Sequence, residues 1–266
     1  ARLLSKSDFG IMALASSFIG FGLIFSEGGM GAALIQRQNI TQKHMNAAFQ
    51  SAIVVGCFLF VIFFFISDPI SAFFNQPKLG LIIKVAGLNI ILSAISSVSV
   101  SLLQKHFKFK LITAASTVII TISYSVGVIF AFKGWGVWSL VIATLTNTIL
   151  SSIVMFYLAP VKLSFKFYMK EWRELFSFGS AYILLKIINY FSSSGLNLVL
   201  GKIFTPAKLG VFERANQIKT LPSSYLGNVL GTIMFPAMSE MQYEEDRLFK
   251  TYQHSLGLVN SILMPI

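Results

Sequence analysis

Cys57-Phe58-Leu59-Phe60-Val61-Ile62-Phe63-Phe64-Phe65-Ile66 is a run of ten apolar residues inside a longer apolar stretch, Ala47 to Ile66. A helix of about 20 such residues crosses the ~30 Å hydrocarbon layer of a bilayer. Working outward, the same pattern recurs at Phe9 to Phe25 (continuing less cleanly to Ile35), Leu81 to Leu103, Leu111 to Phe132, Val137 to Leu158, Leu175 to Phe204 and Leu209 to Phe235, and an eighth stretch begins near Leu248. Spans this long are helical, because β-barrel strands need only ~10 residues of alternating pattern. Composition agrees. The 266 residues are 55% hydrophobic and 12% charged, with 26 Phe and a mean hydropathy of +0.74, whereas soluble domains carry about 25% charge. The sequence therefore predicts an all-α polytopic transmembrane bundle of seven or eight spans and excludes an ordinary globular or disordered protein.

The net charge of +11 would suggest nucleic acid in a soluble protein. Here the basic residues lie mostly in loops, where they set topology and meet membrane lipids, and no basic stripe with interleaved aromatics remains to bind nucleic acid. One alternating set of loops holds Arg37, Lys43, Lys105, Lys108, Lys110, Lys162, Lys166, Lys170, Arg173, Arg247 and Lys250; the other holds Arg2, Lys6, Lys78, Lys133, Lys202 and Lys208. The richer set is expected in the cytoplasm, which puts Ala1 on the far side of a bacterial inner membrane. Asn39-Ile40-Thr41, a glycosylation sequon, then falls in a cytoplasmic loop and is discarded. Cys57 is the single cysteine, and His44, His106 and His254 are far apart in sequence, so neither a disulfide, a metal site nor another cofactor is expected. No signal peptide is visible.

Shifting the chain by 200 residues overlays Phe9-Gly10-Ile11 on Leu209-Gly210-Val211, Ala15 on Ala215, Gly31 on Gly231 and Phe49 on Phe249. With equal span spacing, these matches predict a duplicated bundle. The expected organisation is a first bundle over 1–159 with about five spans, an amphipathic cytoplasmic connector over 160–174, and the start of a second bundle over 175–266 with about three. Charge and repeat both lead to the expectation of one helix preceding Ala1, and the repeat to most of a second bundle following Ile266.

Several motifs carry a resemblance. Lys6-Ser7-Asp8-Phe9-Gly10, Gly28-Gly29-Met30-Gly31-Ala32-Ala33-Leu34-Ile35-Gln36-Arg37, Gly134-Trp135-Gly136-Val137-Trp138, Leu209-Gly210-Val211-Phe212-Glu213-Arg214-Ala215, Leu221-Pro222 and Phe235-Pro236-Ala237 occur in order along nearly the whole chain. The chain resembles the polysaccharide-transport branch of the multidrug/oligosaccharidyl-lipid/polysaccharide exporter superfamily, closest to its Wzx-type lipopolysaccharide, colanic-acid and teichuronic-acid exporters. The resemblance implies a MATE-like fold of two pseudo-symmetric bundles. It also implies that undecaprenyl-pyrophosphate-linked oligosaccharide is flipped to the periplasmic leaflet, with polysaccharide polymerase or chain-length machinery as partners. Two positions depart from the family pattern. Leu196 stands where an acidic residue often precedes the Asn-x-x-x-Gly formed here by Asn197 and Gly201, and Gln217 stands where a second basic residue often follows Arg214.

Such transport breaks no bond, so candidate site residues are polar groups within spans, which tend to face a cavity. Lys186 shares a helical face with Asn189, Tyr190 and Ser193; it either contacts the substrate's pyrophosphate or an acidic sugar, or snorkels or pairs with a neighbouring acid. Glu213, Gln217, Thr220, Ser224, Asn228 and Gly231 form one polar stripe, either lining a lumen or forming a helix–helix seam. Arg214 either binds substrate phosphate or pairs with Glu213 or Glu27. Glu27 is an ion-coupling site or a helix-end carboxylate in headgroup water. Thr113, Thr117, Thr121 and Tyr124 form a second polar face, and Gly10, Ala13, Ser17 and Gly20 suit close helix packing. A multidrug or cation antiporter of the same superfamily is the competing reading and predicts a carboxylate-rich cavity. A membrane enzyme would need a large catalytic loop or clustered acids, and neither occurs.

Overall fold

The computed structural model describes residues 3–27, 29–162, 164 and 166–263; within these, the side chains of residues 27, 193, 222–226, 228–230, 258–260 and 262–263 are outside the description. The elements are α1 (Lys6–Glu27), α2 (Gly29–Gln36), α3 (Gln42–Phe73), α4 (Pro77–Ala86), α5 (Leu88–Lys105), α6 (Phe109–Phe132), α7 (Val137–Leu158), α8 (Met169–Ile203), α9 (Pro206–Glu240) and α10 (Glu245–Leu263). Among the described residues there is no strand. Among the described residues, six segments are long and apolar enough to cross a membrane: Lys6–Gln36, Gln42–Phe73, Pro77–Lys105, Phe109–Phe132, Val137–Leu158 and Met169–Ser192. They match the first six expected spans. The two remaining spans expected from the sequence are helical, but their described residues do not reach that hydropathy. Glu213, Arg214, Gln217 and Lys219 interrupt α9, and Glu245, Asp246, Arg247 and Lys250 open α10.

Local chemistry sets the helix ends. Pro77 opens α4, where its missing N–H costs nothing, and Asn75 takes a positive φ of 53° in the turn before it. Gly134 and Gly136 both take positive φ (77° and 53°), which lets the chain reverse between α6 and α7. Thr41 and His44 form a capping box at the start of α3. Helix α8 begins at Met169, six residues before the expected start of its span. The last part of the expected surface connector is therefore a helical extension of the span, because residues 169–174 keep their backbone bonded along the helix as they leave the apolar layer.

Apolar side chains divide into two populations. Ile11, Leu14, Leu79, Ile82, Ile83, Ile90, Val141 and Leu209 form one buried cluster; Leu34, Val98, Leu102, Val161 and Leu175 form a second. Phe58 and Phe65 on α3, Val118 and Phe132 on α6, Ile153 and Tyr157 on α7, and Leu185 and Ile188 on α8 are exposed. An apolar surface of this extent would aggregate in water and is stable against lipid.

Among the described residues, the two loop sets defined by charge lie at opposite ends of the bundle. At the basic end, Gln36 donates to Gln242 (2.8 Å), Gln42 donates to the Lys162 carbonyl (3.0 Å), and Lys105 donates to the Ile35 carbonyl (3.0 Å). Glu174 joins Arg37 (2.7 Å) and His44 (3.1 Å) there. Thr41 N–H donates to His44 Nδ1 (3.3 Å), which assigns the ring proton to Nε2, facing Glu174. At the opposite end Val137 N–H donates to Asp8 Oδ1 (3.1 Å) and Lys202 donates to the Phe73 carbonyl. The chain is a multi-pass membrane protein with two distinct faces.

The most extensive helix contact is between α1 and α9, and it is reciprocal. A Cβ placed on Gly10 would lie 1.8 Å from the Pro206 carbonyl oxygen; one placed on Gly210 would lie 2.1 Å from the Lys6 carbonyl oxygen and 2.8 Å from Gly10 N. Lys6 and Pro206, like Gly10 and Gly210, are equivalent under the 200-residue shift. Equivalent positions thus meet as they do across a two-fold axis.

Candidate functional site: a chamber between α1, α5–α7 and α8–α9

Asp8 organises one end of the site. Its carboxylate closes a capping box with Ser5 at the start of α1, accepting from Ser5 N (2.9 Å) while Ser5 Oγ accepts from Asp8 N (3.1 Å). Its other oxygen meets the N-terminus of α7, where the helix dipole favours a negative charge. The Lys6-to-Gly10 motif is thereby tied to the Gly134-to-Trp138 motif. Phe9 and Gly10 in turn touch the Leu209-to-Ala215 motif, so three of the stretches carrying the family resemblance converge here.

Beside this junction is a cavity of about 700 Å³, within the range of small-molecule sites. On α1 its lining runs from Phe9 to Leu23, about 21 Å of helix. Asn89 on α5, Ser123 and Tyr124 on α6, and Thr144, Asn147 and Thr148 on α7 form one wall; Tyr190, Ser194 and Asn197 on α8 and Glu213, Arg214 and Gln217 on α9 form the other. Tyr190 OH donates to the Ser17 carbonyl, tying α8 to α1. Gly20 leaves room for that ring, since an added Cβ would lie 3.0 Å from the phenol oxygen.

The charged groups are on α9. Glu213 accepts from Asn197 Nδ2 (2.8 Å) and Gln217 Nε2 (3.4 Å). Arg214 donates to Gln217 Oε1 (2.9 Å), and its guanidinium lies 3.9 Å from the centre of the Phe9 ring. Among the described residues Arg214 makes no ion pair. Two amides satisfy Glu213, which leaves the adjacent guanidinium most of its donors for an anion. Of the alternatives open for Arg214, pairing with Glu213 is not formed. Glu27 ends α1, but its side chain is outside the described residues, so its expected roles are too.

The expected site residues separate in space. Glu213, Arg214 and Gln217 come together in the chamber. Asn228 and Ser224 continue the stripe in sequence, but their side chains are outside the described residues. Lys186 is one turn from Tyr190 but outside the lining; its Nζ lies 5.3 Å from the centre of the Tyr182 ring, which stacks on Phe235 at 5.9 Å. Asn189 is exposed and also outside the lining. Ala13, Ser17 and Gly20, read as packing positions, also line the chamber. Of the Thr113-to-Tyr124 face only Tyr124 reaches it, and Thr117 and Thr121 bond back to carbonyls of their own helix (both 2.8 Å). Asn89, Asn147 and Thr144 carry no spacing signal in the sequence and were not expected at the site. In the sequence Asn197 stands out only as part of its motif; in the structure it is a hydrogen-bond partner of Glu213.

These features define a class: a multi-pass helical membrane protein whose helices line a cavity in which, among the described residues, Arg214 has no ion pair. The family model described as polysaccharide biosynthesis protein matches residues 1–266, and the chain belongs to that family. Among its relatives, the succinoglycan biosynthesis transport protein ExoT of Rhizobium meliloti is 19% identical over 100% of this chain and 54% of its own length. The teichuronic acid biosynthesis protein TuaB of Bacillus subtilis is 21% identical over 92% of this chain and 51% of its own. The lipopolysaccharide biosynthesis protein WzxC of Escherichia coli is 22% identical over 100% and 54%. The chain spans about half the length of these relatives. No solved structure matches it.

Proposed function

We propose that the protein is part of a flippase that moves undecaprenyl-pyrophosphate-linked oligosaccharide from the cytoplasmic to the periplasmic leaflet of a bacterial inner membrane. The observation that carries the reading is Arg214, a guanidinium in the chamber without an ion pair among the described residues. A guanidinium without a counter-charge attracts a diphosphate, and its planar donors suit phosphate oxygens. Relatives named for succinoglycan transport, teichuronic acid biosynthesis and lipopolysaccharide biosynthesis support a saccharide cargo. No bond is made or broken, so the protein acts as a carrier and not as an enzyme. Alternating access would move the 1–159 bundle against the one that begins with α8, the 160–174 segment joining them. Polysaccharide polymerase or chain-length machinery would take the delivered repeat.

The antiporter reading expects several carboxylates in the chamber; among the described residues Glu213 is the one that lines it. The test is genetic. Deleting the gene should accumulate lipid-linked repeat on the cytoplasmic leaflet. The intact gene product should relieve this, and its Arg214→Ala variant should fail to. Full relief by Arg214→Ala would overturn the assignment of Arg214, and no accumulation on deletion would overturn the transport reading.

A further inference from the structure

The chamber has two chemically different walls. The α8–α9 wall carries Glu213 and Arg214. The facing wall, from α5, α6 and α7, carries Asn89, Ser123, Tyr124, Thr144, Asn147 and Thr148, with no carboxylate, amine or guanidinium.

Among the described residues, three groups on that uncharged wall keep unused hydrogen-bonding capacity. Asn89 is 6% exposed, and its Nδ2 donates to the Ala86 carbonyl (2.8 Å) while its buried Oδ1 has no partner. A buried acceptor without a donor is costly and rare, and at a cavity wall it marks a place where a ligand or water hydroxyl belongs. The Asn147 side chain makes no hydrogen bond among the described residues, which leaves an amide with both donors and acceptor capacity at the chamber lining. Tyr124 is 67% exposed, so its ring offers an apolar face and its hydroxyl a donor and acceptor. By contrast, Thr144, Thr148 and Ser123 spend their hydroxyl protons on carbonyls of their own helices (2.9, 3.0 and 2.7 Å), and retain acceptor capacity.

We infer that Asn89, Tyr124 and Asn147 form a subsite for an uncharged pyranose, separate from the anion-binding pole at Arg214. An uncharged sugar presents hydroxyls that donate and accept at once, together with a C–H face. Side-chain amides meet the first and an aromatic ring meets the second. A wall that carried a cation would favour uronic acids; this one gives a carboxylate no counter-charge. The inference rests on the flippase reading and names the part of the cargo that each wall takes. Arg214 holds the diphosphate shared by all such carriers, and the α5–α7 wall reads the sugar.

The test measures binding to the intact gene product in detergent with two probes: undecaprenyl diphosphate without sugar, and undecaprenyl diphosphate bearing a neutral oligosaccharide. Asn147→Ala and Tyr124→Ala should each weaken the sugar-bearing probe about tenfold and leave the bare carrier unchanged, while Arg214→Ala should weaken both. Retained binding of the bare carrier also reports that the wall variants fold. Tyr124→Phe, which keeps the ring, should lose less than Tyr124→Ala. Wall variants that bind the sugar-bearing probe as well as wild type does, or that lose both probes equally, overturn the subsite. Wild-type protein that binds neither probe overturns the flippase reading and the subsite with it.

Discussion

The α1–α9 crossing gives the sharpest structural prediction. A methyl group on Gly10 would sit 1.8 Å from the Pro206 carbonyl oxygen, and one on Gly210 would sit 2.1 Å from that of Lys6. Carbon and oxygen approach to about 3.3 Å at closest, so either substitution must force the helices apart by more than 1 Å. Both obstacles are backbone atoms, so no side chain can swing away. Overpacking of this kind costs about 1–3 kcal/mol, and Gly10→Ala should lie toward the upper end. Because both methyl groups would enter one crossing, the double variant should cost clearly less than the sum of the single ones, since separation forced by the first makes room for the second. Gly195→Ala on α8 is the control. Among the described residues its Cβ would meet only Phe191 Cδ1, at 3.8 Å, and the change should be neutral or stabilising by up to ~1 kcal/mol through helix propensity. The assay is thermal unfolding of the intact gene product in detergent. If Gly10→Ala matches Gly195→Ala, or if Gly10→Ala and Gly210→Ala are additive, the close reciprocal crossing is wrong.

Other consequences are simpler. Asp8→Ala removes a cap from α1 and an acceptor from the start of α7, and should cost about 1–2 kcal/mol of stability in the same assay; Asp8→Asn, which keeps an acceptor, should recover part of that loss. Glu174→Gln should loosen the basic end by releasing Arg37 and His44, raising the labelling of a cysteine placed at Gln242. Salt should narrow the difference from wild type, because the Arg37–Glu174 pair is partly exposed. In whole cells a membrane-impermeant thiol reagent should label a cysteine placed at Lys133 and not one placed at Lys108, which should react only in inside-out vesicles; reversed labelling would overturn the charge-based sidedness.

Much of the fold was legible in the sequence. Val137 to Leu158 is a helix with the boundaries its apolar run defines, because a long apolar segment in lipid has no other way to pair its backbone. The two loop sets fall at opposite ends because basic loops remain in water. Boundaries slipped where helices run past the apolar layer, as at Met169, since helical pairing continues in water after hydropathy has fallen. Glu213, Arg214 and Gln217 were legible because ionisable and amide groups are conspicuous in an apolar helix. Asn89 and Asn147 were not, since a single amide among serines and threonines has no periodic signature. Their meeting depends on α5 packing against α7, from residues 58 positions apart. Lys186 was conspicuous for the same reason as Arg214, yet packing turned it toward Tyr182.

The flippase reading is tested most directly by reconstituting the intact gene product into liposomes with fluorescent undecaprenyl-diphosphate oligosaccharide and following its loss from the outer leaflet by a membrane-impermeant quencher. The account predicts that wild-type protein moves the lipid across the bilayer within the assay, that Arg214→Ala slows it at least about tenfold, in line with the loss of a charged hydrogen-bonding partner, and that empty liposomes retain the asymmetry. Wild-type vesicles indistinguishable from empty ones would contradict it.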